Sequence, residues 1–220
     1  MKRTAAAVPL RGGRRVANRS ARQLVALWGL RLAVFLALLS AGAQVIAYHY
    51  GLHDRILDSS NDNSVGGALT ALLLASTVVV AWLLALGRRS TQTMLIAACI
   101  SIVFAFELTD LPHRRLISAP FGLVAVVLLW RLASSDRLAR RLLRAGCVVL
   151  GVALVGHSLG AWLVNRLDLG WDSWLYQLKA IVKHSGELAA WTLIGSGLVV
   201  LRLGQPQEAG VAERASSETA

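Results

Sequence analysis

Six long apolar runs, separated by short polar segments, dominate the pattern of the chain. The runs cover residues 32–50, 66–87, 93–111, 116–132, 146–165 and 181–203. A helix needs about 20 mostly apolar residues to cross the roughly 30 Å hydrocarbon core of a membrane, and each run is close to that length. The pattern therefore predicts an all-α, polytopic transmembrane bundle of six spans (32–203). A basic segment (1–31) precedes the bundle, and a polar tail (204–220) whose composition predicts disorder follows it.

Composition agrees with a lipid-facing surface. The chain is 55% hydrophobic and only 16% charged, whereas a soluble domain keeps about 25% charged residues. The net charge of +11 does not indicate a nucleic-acid-binding protein, because the basic residues lie between apolar runs. Contact with an anionic lipid bilayer explains them better. Cys99 and Cys147 both lie inside apolar runs, which predicts buried thiols rather than a disulfide.

Lysine and arginine in short loops set the orientation of membrane helices. Apart from Arg31, which closes the inner end of the first span, sixteen basic residues lie before the first span and at or after the ends of the second, fourth and sixth spans, and the opposite side holds six. This asymmetry predicts that both termini are cytoplasmic, in the cytoplasmic membrane. A cleaved signal peptide is the competing interpretation of the start, because small residues (40–43) follow Arg31 and an apolar run. Apolar character continues to Tyr48, however, which favours a span.

Ionisable residues gather at the outer end of this predicted bundle. All five histidines fall on the outer side or in the outer half of a span, two carboxylates close the third span, and another lies one turn into the sixth. Ionisable groups inside a span are costly and usually face the bundle interior or a wet cavity. The candidate metal ligands are Glu107, Asp110, His113, His157, His184 and Glu187.

Several functions compete for this outer-facing pocket. Imidazole and carboxylate together suit zinc or another divalent metal with an open position for water, which predicts a site that handles a lipid or small amphiphile. The alternative is a non-catalytic accessory or scaffold subunit whose polar residues bind a membrane protein partner. Haem-based electron transfer, with axial ligands such as His157 and His184, comes third. A charge relay through the buried carboxylates and His157 is a further hypothesis.

The fifth span carries a small-residue motif. Gly156 and Gly160 form a G-x-x-x-G pattern that lets another helix approach closely, so the adjoining His157 is predicted to face protein rather than lipid. The same residues, with Ser158 between them, imitate the nucleophile elbow of an α/β-hydrolase. That chemistry needs a strand, a sharp turn and a helix, whereas the flanks here predict a continuous transmembrane helix.

Two elements of the chain resemble a loose group of small, uncharacterised six-helix bacterial membrane proteins. Members carry an acidic pair shortly before a histidine at the end of one span, and a Glu-rich start to the last span. The segment from Glu107 to His113 is similar to the first element, and the segment from His184 to Glu187 to the second. The chain departs in having Leu108 in place of the second acid. The resemblance implies a bacterial membrane protein without an established activity.

Overall fold

The computed structural model describes residues 11–50, 65–109, 114–170 and 173–205, and all regular structure in these ranges is helical. This confirms the all-α prediction. One α-helix corresponds to each of the six apolar runs, and a single 3-10 turn, Ala133–Ser135, precedes the fifth. The helices are α1 (Arg11–His49), α2 (Val65–Arg88), α3 (Thr91–Glu107), α4 (Arg114–Leu132), α5 (Arg137–Arg166) and α6 (Trp174–Leu203).

Short polar side chains fix where three helices begin. The Ser90 hydroxyl accepts a hydrogen bond from the Thr93 backbone N–H at the start of α3. The Asp136 carboxylate accepts two backbone N–H bonds at the start of α5, each 3.0 Å long. Ser173 caps α6 in the same way. Such caps pair backbone donors that have no partner inside the helix.

Three helices begin at least seven residues before the apolar runs that revealed them. Helix α1 begins at Arg11 rather than near residue 32, α5 at Arg137 rather than 146, and α6 at Trp174 rather than 181. Arginine, glutamine and alanine are good helix formers, so the backbone stays helical through polar segments that hydropathy alone leaves out. For α6, this adds about two turns before the predicted span.

Helix length and composition separate the six helices into two groups. Four helical stretches are long and apolar enough to cross a membrane: Asn18–His49, Val65–Arg88, Arg137–Arg166 and Trp174–Leu203. Helices α3 and α4 are apolar but shorter. Their apolar stretches are Thr91–Glu107 and Ile117–Leu132. At 1.5 Å per residue, α3 is about 26 Å long.

Helix α6 occupies the centre of the bundle. It packs against α1, α2 and α5, while α3 packs against α2 and α4, and α4 packs against α5. In the most apolar stretch of α6, 61% of the residues are buried, against 17% in that of α1. Side-chain contacts give the directions: Gln44 of α1 meets Gln177 near the start of α6, and Asn18 bonds the Leu203 carbonyl at its end. Helix α1 is therefore antiparallel to α6.

Glycines bring α5 and α6 into close contact. A Cβ atom built at Gly146 would lie 2.7 Å from Ile194, one at Gly156 would lie 2.9 Å from Val182, and one at Gly160 would lie 2.8 Å from Lys179. These pairs run in opposite directions, so α5 and α6 are also antiparallel. The predicted close approach at Gly156 and Gly160 is thus present, with α6 as the partner helix. Small residues at a helix interface allow this proximity.

Apolar side chains occupy the surface of the bundle as well as its core, unlike in a protein in water. Large apolar side chains are exposed on every helix, among them Phe35, Leu72, Leu123 and Val152, each more than half exposed. A few ionisable and amide side chains are buried together with the apolar core. An exposed apolar surface of this extent indicates contact with lipid or with another protein.

The opposite end of the bundle from the start of α6 is basic. Arg22 of α1 forms an ion pair with Asp136, the residue that caps α5. Burial opposes ionisation of Asp136, but the Ala139 and Leu138 backbone N–H groups and the Arg22 guanidinium together outweigh it and lower the pKa of this carboxyl. Asp136 therefore joins α1 to α5 as a charged group.

Candidate functional site

The buried ionisable residues of the described chain converge on α6. Lys183, His184 and Glu187 are 5%, 7% and 8% exposed. Because α6 begins at Trp174, His184 lies ten residues inside the helix, or about 15 Å at 1.5 Å per residue. The sequence prediction placed it at the opening of the last span, so the structure sets it deeper along its helix than expected. Charged groups at such a position are costly unless neighbouring groups compensate them.

Helical spacing aligns the two acid–base groups of this cluster. His184 and Glu187 are three residues apart on α6, and Nδ1 of the imidazole lies 3.9 Å from Oε2 of the carboxylate. The separation is too long for a hydrogen bond, but it is short enough for electrostatic attraction when the imidazole carries a proton. Trp191, one turn further along the same face, is 9% exposed and belongs to the hydrophobic core.

A pair of amides continues the polar face toward the start of α6. The Gln44 amide of α1 donates a hydrogen bond of 2.6 Å to Oε1 of Gln177, and the two side chains are 2% and 5% exposed. Next to them, Tyr48 and Trp174 place their ring centroids 5.6 Å apart. The amide pair was not predicted from the sequence. Gln44, a strong hydrogen-bonding side chain in an otherwise apolar run, was the signal that could have revealed it.

Helix α5 places His157 about one turn nearer the start of α6 than His184. Gly156 packs on Val182 and Gly160 on Lys179, so the antiparallel register sets His157 beside the turn of α6 that leads to Lys183. His157 is half-buried, and its Nδ1 atom is inaccessible to solvent. The prediction that it faces protein rather than lipid agrees with this register.

The remaining candidate ligands lie near the end of α3. Glu107 is the last residue of α3 and is half-buried. Asp110 and His113 lie outside the described residues. Within the described ranges, no group of three or more histidine, cysteine, aspartate or glutamate side chains is close enough to hold a metal ion. The structure therefore brings His184 and Glu187 together and sets His157 about one turn from His184 along the bundle, while the six-residue metal site stays a prediction.

The serine between the two glycines of α5 is part of a continuous helix. Its hydroxyl, Ser158 Oγ, donates a hydrogen bond of 2.9 Å to the Leu154 carbonyl one turn back, as hydroxyls in apolar helices commonly do. No strand or sharp turn precedes it in α5. The geometry of a nucleophile elbow is absent from this segment, in agreement with the sequence prediction.

Comparison of the chain with protein-family models, with curated proteins and with solved structures gave no match. The fold and the site therefore define the class of the molecule by themselves. It is an all-helical protein with four long apolar helices, and ionisable groups are buried on its central helix.

Proposed function

We propose that the chain is a multi-pass protein of a bacterial cytoplasmic membrane, with six spans and both termini in the cytoplasm. Four long apolar helices support this topology, and α3 and α4 fall only a few ångströms short of the roughly 30 Å hydrocarbon core. Local thinning of the bilayer accommodates such a mismatch at modest cost. The sorting of sixteen basic residues against six supports the orientation.

Within that topology, we propose that the cluster on α6 faces the outer half of the membrane and binds a divalent metal ion. The observation that carries this proposal is the buried pair of His184 Nδ1 and Glu187 Oε2, 3.9 Å apart. Two tetrahedral ligands about 2.1 Å from a zinc ion lie ~3.4 Å apart, so a small rotation of either side chain suffices. The further candidate ligands are His157, about one turn nearer the start of α6, and Glu107, Asp110 and His113 at and after the end of α3.

A metal bound there would keep an open position for water and polarise an ester or phosphate of a lipid or small amphiphile. The site would act on molecules that reach it from the surrounding bilayer. This substrate class follows from the apolar surface of all six helices, because a molecule dissolved in the hydrocarbon core meets that surface directly.

A second candidate function rests on Lys183. Its buried ammonium, four residues before Glu187 on the same helix, can neutralise the carboxylate without any metal ion. The cluster would then fix the packing of a non-catalytic accessory subunit, and the exposed apolar faces would bind a membrane protein partner.

Elemental analysis and an absorption spectrum of the detergent-purified protein separate these functions. We expect about one divalent ion per chain, lost in His184→Gln and retained in the control His49→Gln, whose histidine is exposed at the end of α1. A Soret band would support haem instead. Wild-type protein with neither metal nor haem, but with a stoichiometric co-purifying membrane protein, would support the accessory subunit.

A further inference from the structure

Four arginines form a stripe on the outward face of α5, at the end that the proposed topology places in the cytoplasm. Their spacing, i, i+3, i+4 and i+7, puts them on one side of the helix, while the opposite side buries Ala139, Leu142 and Leu143 in the bundle. The stripe consists of Arg137, Arg140, Arg141 and Arg144. The nearby carboxylate of Asp136 does not compensate these charges, because it is engaged by Arg22 and by the start of α5.

An aromatic ring and backbone oxygens hold part of this stripe in place. The Arg144 guanidinium lies 4.8 Å from the centre of the Trp130 ring, and Trp130 is 43% exposed. The Arg140 guanidinium donates to the Ala133 and Ser134 carbonyls. Tryptophan and arginine in this combination are typical of the headgroup level of a membrane. Arg137 and Arg141 are exposed and remain directed outward.

The same face of α5 continues as an apolar groove. The groove is open to the surroundings, has a volume of about 480 Å³, and is lined by Val148, Gly151, Val152, Val155, Gly156 and Leu159. It exists because glycine leaves space on the helix surface: a Cβ atom at Gly151 would meet nothing within 4 Å. Val148 follows Arg144 by one turn, so the basic stripe passes directly into the groove.

We propose that this face of α5 binds an anionic phospholipid of the cytoplasmic leaflet, with its phosphate on the arginine stripe and an acyl chain along the groove. The groove begins in the cytoplasmic leaflet and is about as long as one leaflet is thick. From Val148 to Leu159 the helix rises about 17 Å at 1.5 Å per residue, and half of the hydrocarbon core is about 15 Å. The inference rests on the membrane topology proposed above and is independent of the metal site.

Charge decides between a lipid and a second copy of the chain as the occupant. Two copies related by an axis along the membrane normal would set the same faces of α5 together, and their arginine stripes would repel each other. An anionic headgroup is instead attracted to each arginine near the membrane surface. A phospholipid therefore matches both parts of this face, because its phosphate is anionic and its acyl chain is apolar.

Native mass spectrometry of the full chain, in detergent with added phosphatidylglycerol or phosphatidylcholine, tests the proposal. We expect tighter retention of phosphatidylglycerol, weakened about fivefold in Arg141→Gln. The control Arg31→Gln removes an exposed arginine that lies near Trp28 on α1 and should leave retention unchanged. Gly151→Leu, which fills the groove, should reduce retention of both lipids, while Gly42→Leu, at an equally open glycine of α1, should not.

Equal retention of the two lipids, or an Arg141→Gln variant that binds as wild type does, would overturn the proposal. So would a wild-type dimer that Gly151→Leu converts to monomer, since a second copy would then occupy the groove. Lipid selectivity with no metal in the same preparation would refute the metal site alone. Failure of the protein to sediment with membranes would refute the topology on which both proposals rest.

Discussion

The contact between Gly186 and Ala153 offers a sharp test of the packing at the centre of the bundle. A Cβ atom built at Gly186 would lie 2.6 Å from the Ala153 Cβ and 3.5 Å from its Cα. Ordinary carbon–carbon contacts are about 3.5–4.0 Å, so Gly186→Ala must separate α5 and α6 locally by about 1 Å. This separation also loosens the turn of α6 that carries Glu187.

The expected cost follows from two opposing effects. Overpacking a closely fitted contact costs about 1–3 kcal/mol, whereas replacing glycine by alanine in a helix returns about 0.4–1 kcal/mol. The net loss of stability should be about 1–2 kcal/mol. For a chain of this size, each kcal/mol lowers Tm by about 2–4 °C, so thermal unfolding of the detergent-solubilised variant should occur roughly 2–8 °C below wild type.

Exchanging the two small residues should restore the fit. The double variant Gly186→Ala/Ala153→Gly removes the clashing methyl group, and its Tm should return to within about 2 °C of wild type, a shift equivalent to less than 1 kcal/mol. Gly42→Ala is the matched control, because a Cβ there meets nothing within 4 Å, and it should be neutral or slightly stabilising. A single variant as stable as the control, or a double variant less stable than the single, would refute the close α5–α6 contact.

Three further predictions concern the basic end and the α2–α3 contact. Asp136→Asn should lower the unfolding free energy by about 0.5–2 kcal/mol, measured by thermal unfolding, because it removes an ion pair and a negative charge at a helix N-terminus, although asparagine still caps the helix. Despite burial, the backbone hydrogen bonds and Arg22 lower the pKa of folded Asp136, so its stabilisation is present above the ordinary aspartate pKa and is lost as pH falls through the lowered folded pKa. Wild type and Asp136→Asn should therefore converge in acid. Trp82 Nε1 donates to Ser101 Oγ over 3.0 Å, so a double-mutant cycle with Trp82→Phe and Ser101→Ala should give a coupling of about 0.6 kcal/mol.

The number and kind of helices could be predicted from hydropathy because the apolar runs are long and cleanly separated. Their true starts could not. Hydropathy reports where a helix meets lipid, whereas helix formation in segments such as 11–31 and 137–145 depends on backbone propensity and on caps such as Asp136. The cap at Ser173 could be predicted, since serine before an apolar run is a known start signal.

The candidate site was partly accessible from sequence. Spacing alone set His184 and Glu187 on one face of a helix, because positions three residues apart are neighbours. The burial of Lys183 beside them depends on α6 being the central helix, a tertiary fact that no local pattern encodes. The Gln44–Gln177 bond is likewise a contact between residues far apart in the chain, and its formation depends on the register of α1 against α6.

The ratio of bound metal to protein in Glu187 variants tests the central claim most directly. If the buried pair on α6 binds a divalent ion, Glu187→Gln should lose the metal found in wild type, because an amide is a weak ligand. Glu187→Asp, which keeps a carboxylate, should retain part of it. Elemental analysis of the three purified proteins decides the matter: equal metal content in wild type and Glu187→Gln, or no metal in either, would contradict the account.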